Sequence, residues 1–382
     1  MKIGIDARLW SETGVGRYIR NLVWELEKLD KENQYVLFVK KGFKSEDSIR
    51  QAQDMLGFKN DRWRIVETDV HWHSVKEQLA FPQVLYKENL DLMHFTYFSL
   101  PVFYNRPFVV TIHDLIINHF PTGKASTLPS PLYHLKRIGY NFVIEYAVKN
   151  SQKIIVPLNA VKDDVMQTFN VSENRIAVTY EGSSSLRATR SNLNKKEIDS
   201  YFLYVGNAYP HKNLERLIEA FDLFTQTTKG EVKLVLVGKD DYFYKRIRAK
   251  IEQKKGENVV FKHNVSDEEL FALYSHAKAF ISPSLMEGFG LPPLEAMSAS
   301  CPVLLSDIPS FNEVCQDAAL YFDPTKTHSL QEQLQVMYTM DHKRREEYIR
   351  KGLERVKQFS WKRMAEQTLN IYESSISVRQ SK

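Results

Sequence analysis

Short runs of β-branched and aromatic residues recur along the chain. Each is followed by a turn containing Gly, His, Asn or Pro, then by a longer segment whose apolar positions return with helical spacing. In the first half this pattern predicts strands at "KIGID", "YVLFVK", "DLMHF", "FVVTIHD" and "KIIVP", interleaved with helices such as "VGRYIRNLVWELEKL" and "LYHLKRIGYNFVIEYAVKN". In the second half it predicts strands at "YFLYVGN", "VKLVLVGK", "VVFKHN", "AFISPS" and "PVLLSD". Strand, helix and strand in alternation is the sequence form of parallel βαβ units, so two doubly wound α/β domains are expected. After about Asp323 the strand pattern stops, and "HSLQEQLQVMYTM", "RREEYIRKGLERVKQF" and "WKRMAEQTLNIYES" read as purely helical.

Residues 183–199, "SSSLRATRSNLNKKEID", are polar and charged with no apolar periodicity. They are the expected linker between a domain of residues 1–182 and a second of residues 200–358, with residues 359–382 as a closing helix that packs back toward the first domain. In open parallel sheets ligands collect beyond the C-terminal strand ends, and a cleft between two such domains is the default site.

Composition narrows the partners. The 382 residues carry 52 Lys and Arg against 47 Asp and Glu, a net charge of +5 that is too mild and too mixed for a dedicated duplex-DNA binder. An anionic small molecule or a membrane surface suits it better. Cys301 and Cys315 stand outside any CxxC or His-rich cluster, so neither a zinc site nor a disulfide framework is expected. No run approaches the ~18 apolar residues of a spanning helix. The opening "MKIGIDARLW" lacks the apolar core of a signal peptide, so the expected compartment is the reducing cytoplasm.

Candidate chemistry concentrates where strands end. The strand "AFISPS" is followed by "LMEGFG" and then by a helix, "LPPLEAMSAS", whose early prolines sit where a missing amide costs nothing. Gly288 and Gly290 permit close approach, so the amides of Gly288, Phe289, Gly290 and Leu291 can point at a phosphate near the helix N-terminus. Glu287 and Glu295 flank this cradle and suit hydroxyl donors: Glu287 a hexose and Glu295 a ribose, as in a nucleoside diphosphate sugar. Taken alone, two glutamates at this spacing fit helix-dipole stabilisation equally well.

The segment "YVGNAYPHKNLERLI" ends a strand at Gly206 and offers Asn207, His211 and Lys212 before the next helix, with Lys212 placed to neutralise a diphosphate and His211 to help when protonated. Gly238, and Asn264 with Val265, follow neighbouring strands where backbone groups could read a base edge. In the first domain "TIHDL" sets His113 and Asp114 at a strand end, and "SETGVGRYI" opens a helix with Gly14 and Gly16. Ile19 stands where a dinucleotide fingerprint needs its third glycine, which disfavours a dehydrogenase. No Asp-x-Asp occurs, so a metal-clamped diphosphate is not expected.

Together "SPSLMEGFGLPPLEAMSASCPVLLSD", "NEVCQDAALYFDP", "ETGVGRYIRNLVWEL", "FVVTIHDL", "IIVPLNAVKDDV", "YFLYVGNAYPHKNLERLIEAF" and "FSWKRMAEQTLNIY" resemble the retaining glycosyltransferases of family 4 over nearly the whole chain. The resemblance implies a GT-B architecture: two doubly wound Rossmann-like domains with parallel sheets facing a central cleft, plus a C-terminal helical tail. It implies a catalytic set of His113 beside the transferred sugar, Lys212 on the leaving diphosphate, and Glu287 as a hydroxyl anchor and stabiliser rather than a nucleophile. Asp114 would fix the His113 tautomer or meet the acceptor, and Gly14 and Gly16 would lie near donor phosphate and acceptor. One departure is that the family's glycine near Ser300 is absent, which bears on close backbone packing there.

The opening stretch, with "KEQLAFPQVLYKENLDLMHFTYFSLP", looks like the subgroup that extends O-antigen or exopolysaccharide chains, often with mannose from GDP-mannose. The implied activity is a retaining hexosyl transfer from a nucleotide sugar to a glycan or lipid-linked glycan, with no cofactor, no essential metal and no nucleic acid. UDP- or dTDP-sugar donors stay open, as do two rival classes: a nucleotide-sugar epimerase or phosphorylase, and a non-catalytic carbohydrate- or nucleotide-binding protein. Lys124, Lys136 and Arg137 could supply peripheral contact with the inner face of the cell membrane, or only a solvated basic face.

Overall fold

The computed structural model describes residues 1–41, 62–120, 130–183, 200–228, 232–253 and 258–380. The expected linker of residues 183–199 lies outside them from residue 184 onward. The chain divides into two compact units. Unit 1 holds Met1–His119, the segment that ends at Gly182, and the chain from Ser360; unit 2 holds Ser183–Phe359 together with Phe120.

Unit 1 is built on a seven-stranded sheet: β1 (Lys2–Asp6), β2 (Gln34–Lys40), β3 (Trp63–Thr68), β4 (Leu92–Phe95), β5 (Phe108–Thr111), β6 (Ile154–Val156) and β7 (Ile176–Val178), in the order β3-β2-β1-β4-β5-β6-β7. Neighbouring strands are parallel throughout, and Ile3 of β1 stands opposite Tyr35 of β2 on one side and Leu92 of β4 on the other. Ile3, Ile5, Leu92, Val109, Val110 and Ile155 are wholly buried, as strands covered on both faces require. The helix Gly14–Leu29 buries Tyr18, Ile19, Leu22, Val23 and Leu26, a stripe with three- and four-residue spacing. The closing helix Trp361–Gln380 packs against it, so the last segment of the chain completes unit 1.

Unit 2 repeats the scheme with β8 (Tyr201–Val205), β9 (Lys233–Val237), β10 (Val259–Lys262), β11 (Ala279–Ser282), β12 (Val303–Ser306) and β13 (Ala319–Phe322), all parallel, in the order β10-β9-β8-β11-β12-β13. Phe202, Tyr204, Leu234, Leu236, Ile281 and Leu304 form its core. The winding reverses beside the first strand of each sheet, at β1/β4 and at β8/β11. Beyond the C-terminal ends of such strand pairs lies the crevice in which open α/β sheets bind ligands.

These two sheets and the helical C-terminal region are what the alternation predicts. β3, β7 and β13 escape that pattern, because "WRIVET", "IAV" and "ALYF" are short or mixed in polarity. The expectation at Ser300 is corrected. Ser300 adopts φ 58 just past the helix Leu291–Ser298, its amide donates to the Met297 carbonyl at 3.0 Å, and the Cys301 amide donates to the Ala296 carbonyl at 2.9 Å. This is a Schellman ending, so a glycine there would relieve backbone conformation rather than close packing. No described helix is long and apolar enough to cross a membrane.

Candidate active site

The switch point of unit 2 carries Lys212 and Glu287. Past β8 the chain passes Gly206 and Asn207 to the turn Pro210–Lys212; past β11 it passes Ser284 to Glu287. The two loops meet in an ion pair: Lys212 Nζ lies 2.7 Å from each Glu287 carboxylate oxygen, with the side chains only 16% and 14% exposed. The Ser284 hydroxyl donates to Glu287 Oε1 at 2.7 Å, and the Leu285 amide donates to the His211 carbonyl at 2.8 Å. Burial pushes the Glu287 carboxyl up, but the Lys212 ammonium and the Ser284 hydroxyl outweigh it and hold the group below the usual carboxylate range. Lys212 is thus the first partner of this carboxylate, and cation and anion form a preorganised unit.

The protonated role expected of His211 is also corrected. Its ring is buried, and burial together with the Lys212 charge pushes the imidazole down to about 4 against the weaker opposite pull of Glu287. At neutral pH His211 is an uncharged hydrogen-bonding group, and Lys212 supplies the positive charge of this loop.

Glycine is demanded by geometry at the strand ends. Gly206 has φ 155, and a Cβ there would lie 2.7 Å from the Tyr204 hydroxyl, which donates to the Asn207 carbonyl at 2.6 Å. A Cβ on Gly238 would lie 2.3 Å from the Gly206 carbonyl, so the ends of β8 and β9 pack backbone to backbone. The Gly238 carbonyl is taken by His263 Nδ1 at 2.7 Å, and His263 Nε2 in turn accepts from Arg248 at 2.7 Å. Asn264 turns the exposed chain at φ 54, followed by half-buried Val265.

The cradle around Gly288 is set by the start of the helix Leu291–Ser298. Gly290, at φ 85, occupies the N-cap, and Pro292 and Pro293 bring no amide. Among the described residues no backbone acceptor takes the amides of Gly288, Phe289, Gly290 or Leu291. The Phe289 ring is buried and stands edge-on to Phe359 at 5.5 Å. Glu295, one turn into the helix, is 3% exposed and accepts from the Tyr274 hydroxyl at 3.2 Å.

In unit 1, His113 follows β5 and is buried. Its Nε2 lies 3.0 Å from the Thr96 carbonyl and its Nδ1 3.2 Å from Glu181 Oε1, with the Tyr18 ring edge-on at 4.9 Å. A carbonyl only accepts, so the Nε2 N–H is the donor to Thr96. The carboxylate at His113 Nδ1 is thus that of Glu181, where Asp114 was expected, while Asp114 Oδ1 accepts from the Ile116 amide at 2.9 Å.

Sequence reasoning passed over Glu181 because it sits next to the serine-rich linker, 68 residues from its partner. Gly16 is fixed by packing, since a Cβ would lie 2.4 Å from the Trp10 carbonyl. Gly14 meets nothing within 4 Å, so no contact in unit 1 explains why the helix Gly14–Leu29 opens on a glycine.

The family model described as Glycosyltransferase Family 4 matches residues 13–183, and that described as Glycosyl transferases group 1 matches residues 187–355. The chain is 30% identical to the O-antigen chain mannosyltransferase B of Escherichia coli over 94% of this chain and 96% of that protein. It is also 30% identical to the O-antigen chain mannosyltransferase RfbU of Salmonella typhimurium over 68% of each. Among solved structures, a sucrose-phosphate synthase from Thermosynechococcus elongatus superposes with a TM-score of 0.75 at 19% identity, covering 99% of this chain and 100% of that one. Anabaena Alr3699/HepE in complex with UDP and glucose superposes with a TM-score of 0.71 at 15% identity, covering 98% and 100%. At these identities the structural likeness speaks for the fold, which is GT-B.

Proposed function

The chain belongs to glycosyltransferase family 4, and on that premise we propose that it moves mannose from GDP-mannose to a glycan or lipid-linked glycan in cell-surface polysaccharide synthesis. The observation that carries this reading is the Lys212–Glu287 pair at the β8/β11 switch point, beside a helix start whose amides face no backbone acceptor among the described residues. Lys212 and the amides of Gly288 to Leu291 receive the diphosphate, and Glu287 anchors a hexose hydroxyl while orienting the ammonium. The relatives' names, O-antigen chain mannosyltransferases, favour mannose over other hexoses.

Transfer proceeds with retention. The bond between the sugar C1 and the diphosphate oxygen breaks, that oxygen takes the proton of the acceptor hydroxyl, and the acceptor oxygen bonds to C1 on the same face. With Lys212 and backbone amides meeting the charge that develops on the leaving group, no metal is needed. His113 of unit 1 has both ring nitrogens engaged, at the Thr96 carbonyl and at Glu181, and takes no step in this scheme. For a lipid-linked acceptor, the helix Ser130–Asn150 offers Ile138 and Phe142, 67% and 60% exposed, beside exposed Lys136; Lys124 lies outside the described residues.

A thermal-shift panel of GDP, UDP, dTDP and ADP with their sugar conjugates, run with chelator on wild type and Lys212→Ala, tests the assignment. A ligand of the folded state raises its melting point by mass action. GDP and GDP-mannose are expected to raise it in wild type and not in the variant. A shift with UDP conjugates alone, the nucleotide held by the Anabaena structure, would move the donor. No shift with any nucleotide in folded protein would remove the donor site.

A further inference from the structure

The switch point of unit 1, beside β1 and β4, carries an aromatic cluster that the donor site leaves unused. The loop after β3 supplies Trp72 and His73, and the segment after β4 supplies Tyr97 and Phe98. Trp72 stands edge-on to Tyr97 at 6.4 Å, and His73 lies 5.9 Å from Tyr97 and 5.5 Å from Phe98. Trp72, His73 and Tyr97 are half-buried, while Phe98 is buried.

The loop is held in a conformation uncommon for residues other than glycine. His73 has φ 54, in the left-handed region. Its amide donates to Glu77 Oε2 and to Ser99 Oγ, each at 3.0 Å, and the Ser99 hydroxyl donates to Glu77 Oε2 at 2.8 Å. Beneath them Arg8 Nη2 lies 2.7 Å from both Asp6 and Glu77, and the Thr96 hydroxyl ties β4 to the Asp6 carbonyl at 2.5 Å. Asp6, Arg8, Glu77 and Ser99 are all buried. This scaffold fixes the backbone of His73, yet among the described residues neither of its ring nitrogens meets a hydrogen-bond partner.

Burial, aided by the charges of Lys136, Arg8 and His71, pushes the His73 imidazole down to about 4. At neutral pH the ring therefore offers one donor and one acceptor and no charge. A neutral donor and acceptor between half-buried aromatic rings suits a sugar: the C–H face of a pyranose packs on an aromatic face while its hydroxyls exchange hydrogen bonds with the imidazole. Arg8 is buried against Asp6 and Glu77, so its guanidinium is engaged within the scaffold.

We propose that Trp72, His73 and Tyr97 form a subsite for one pyranose ring of the acceptor glycan, a proposal that rests on the glycosyltransferase reading. The site lies within unit 1, at strand ends where an open parallel sheet takes its ligand.

The test uses the full-length chain labelled with nitrogen-15. Each of the five tryptophans gives an indole N–H signal, and Trp72→Phe identifies that of Trp72. The protein is titrated with mannose, glucose, galactose, rhamnose, N-acetylglucosamine and α-linked oligomannosides. At least one saccharide is expected to shift the Trp72 signal and leave the other four in place. His73→Ala and Tyr97→Ala are expected to abolish the shift while the thermal shift with nucleotide stays at its wild-type value. In turnover, Trp72→Ala should raise the acceptor KM about tenfold with the donor KM unchanged, and Trp72→Phe should restore most of the loss. If nucleotides bind but no saccharide moves the Trp72 signal, the subsite is refuted and the donor reading stands. If a saccharide moves it but no nucleotide binds, the subsite stands and the transferase reading falls.

Discussion

Removing the Lys212 ammonium leaves Glu287 with the Ser284 hydroxyl as its remaining side-chain donor, in a site where its side chain is 14% exposed. Breaking a buried ion pair from one side costs about 3–5 kcal/mol when the survivor stays charged. Residual exposure and the Ser284 hydrogen bond set Lys212→Met at the lower end, about 3 kcal/mol at pH 8. The survivor can lower that cost by taking up a proton, because without the Lys212 ammonium burial outweighs the remaining Ser284 hydrogen bond and raises the Glu287 pKa. In wild type the depressed pKa gives stability that is present above the unfolded value of about 4.3 and is lost as pH falls through the folded value. In the variant the raised pKa reverses the sign: the penalty is greatest at high pH and fades as pH falls. Between pH 8 and pH 5 the variant should therefore gain on wild type by up to about 1.4 kcal/mol per pH unit. The double variant Lys212→Met/Glu287→Gln removes both charges and should recover most of the loss, a coupling of about 2 kcal/mol at pH 8. A chain of two units need not unfold in one step, so native-state hydrogen exchange at β8 and β11 amides is the assay. A coupling below about 0.5 kcal/mol, or a stability difference that does not change with pH, would refute the pairing.

The two glycines of "GVG" should separate packing from ligand contact. Gly16→Ala should destabilise unit 1 by about 1–3 kcal/mol through overpacking against the Trp10 carbonyl; Gly14→Ala should leave thermal stability unchanged or raised and yet impair transfer. Ser300→Gly should raise the stability of unit 2 by about 0.5–1 kcal/mol in denaturant, since it relieves φ 58 at the Schellman position. His94 is wholly buried between the Tyr372 hydroxyl at 2.6 Å and the Thr111 hydroxyl at 2.8 Å, and burial pushes its imidazole down to about 3. Its folded value lies below the unfolded one of about 6.5, so its contribution is complete above that pH and falls by about 1.4 kcal/mol per unit toward pH 3. Hydrogen exchange at β4 and β5 amides should show that slope, and His94→Gln should remove its share.

The sheets were legible because buried parallel strands are nearly continuous apolar runs; "VKLVLVGK" and "PVLLSD" announce β9 and β12 unaided. β7 was not, since a three-residue strand carries too few positions to show a period. The ends of β8 and β11 were legible as sites through Gly206 and Gly290, whose backbone angles suit only glycine or its nearest substitutes. Which side chains would touch was not. Lys212 and Glu287 lie 75 residues apart, and their pairing follows from β8 and β11 being neighbours, a fact of strand order rather than of local pattern. The same holds for Glu181 at His113 and for the lost charge on His211, which depends on burial that no motif spells out. The aromatic cluster at Trp72 was hidden because its members come from segments whose strands, β3 and β4, are separated in the sheet by β2 and β1.

The central claim is tested most directly by incubating the purified chain, with chelator present, with a lipid-linked glycan extract and radiolabelled GDP-mannose, UDP-glucose, UDP-N-acetylglucosamine or dTDP-rhamnose in turn. Label should pass to the glycan from GDP-mannose, the new linkage should keep the donor's anomeric configuration, and Lys212→Ala should lower the rate by about 100-fold or more. Transfer from another donor alone, an inverted linkage, or no transfer by protein that binds GDP-mannose would contradict the account.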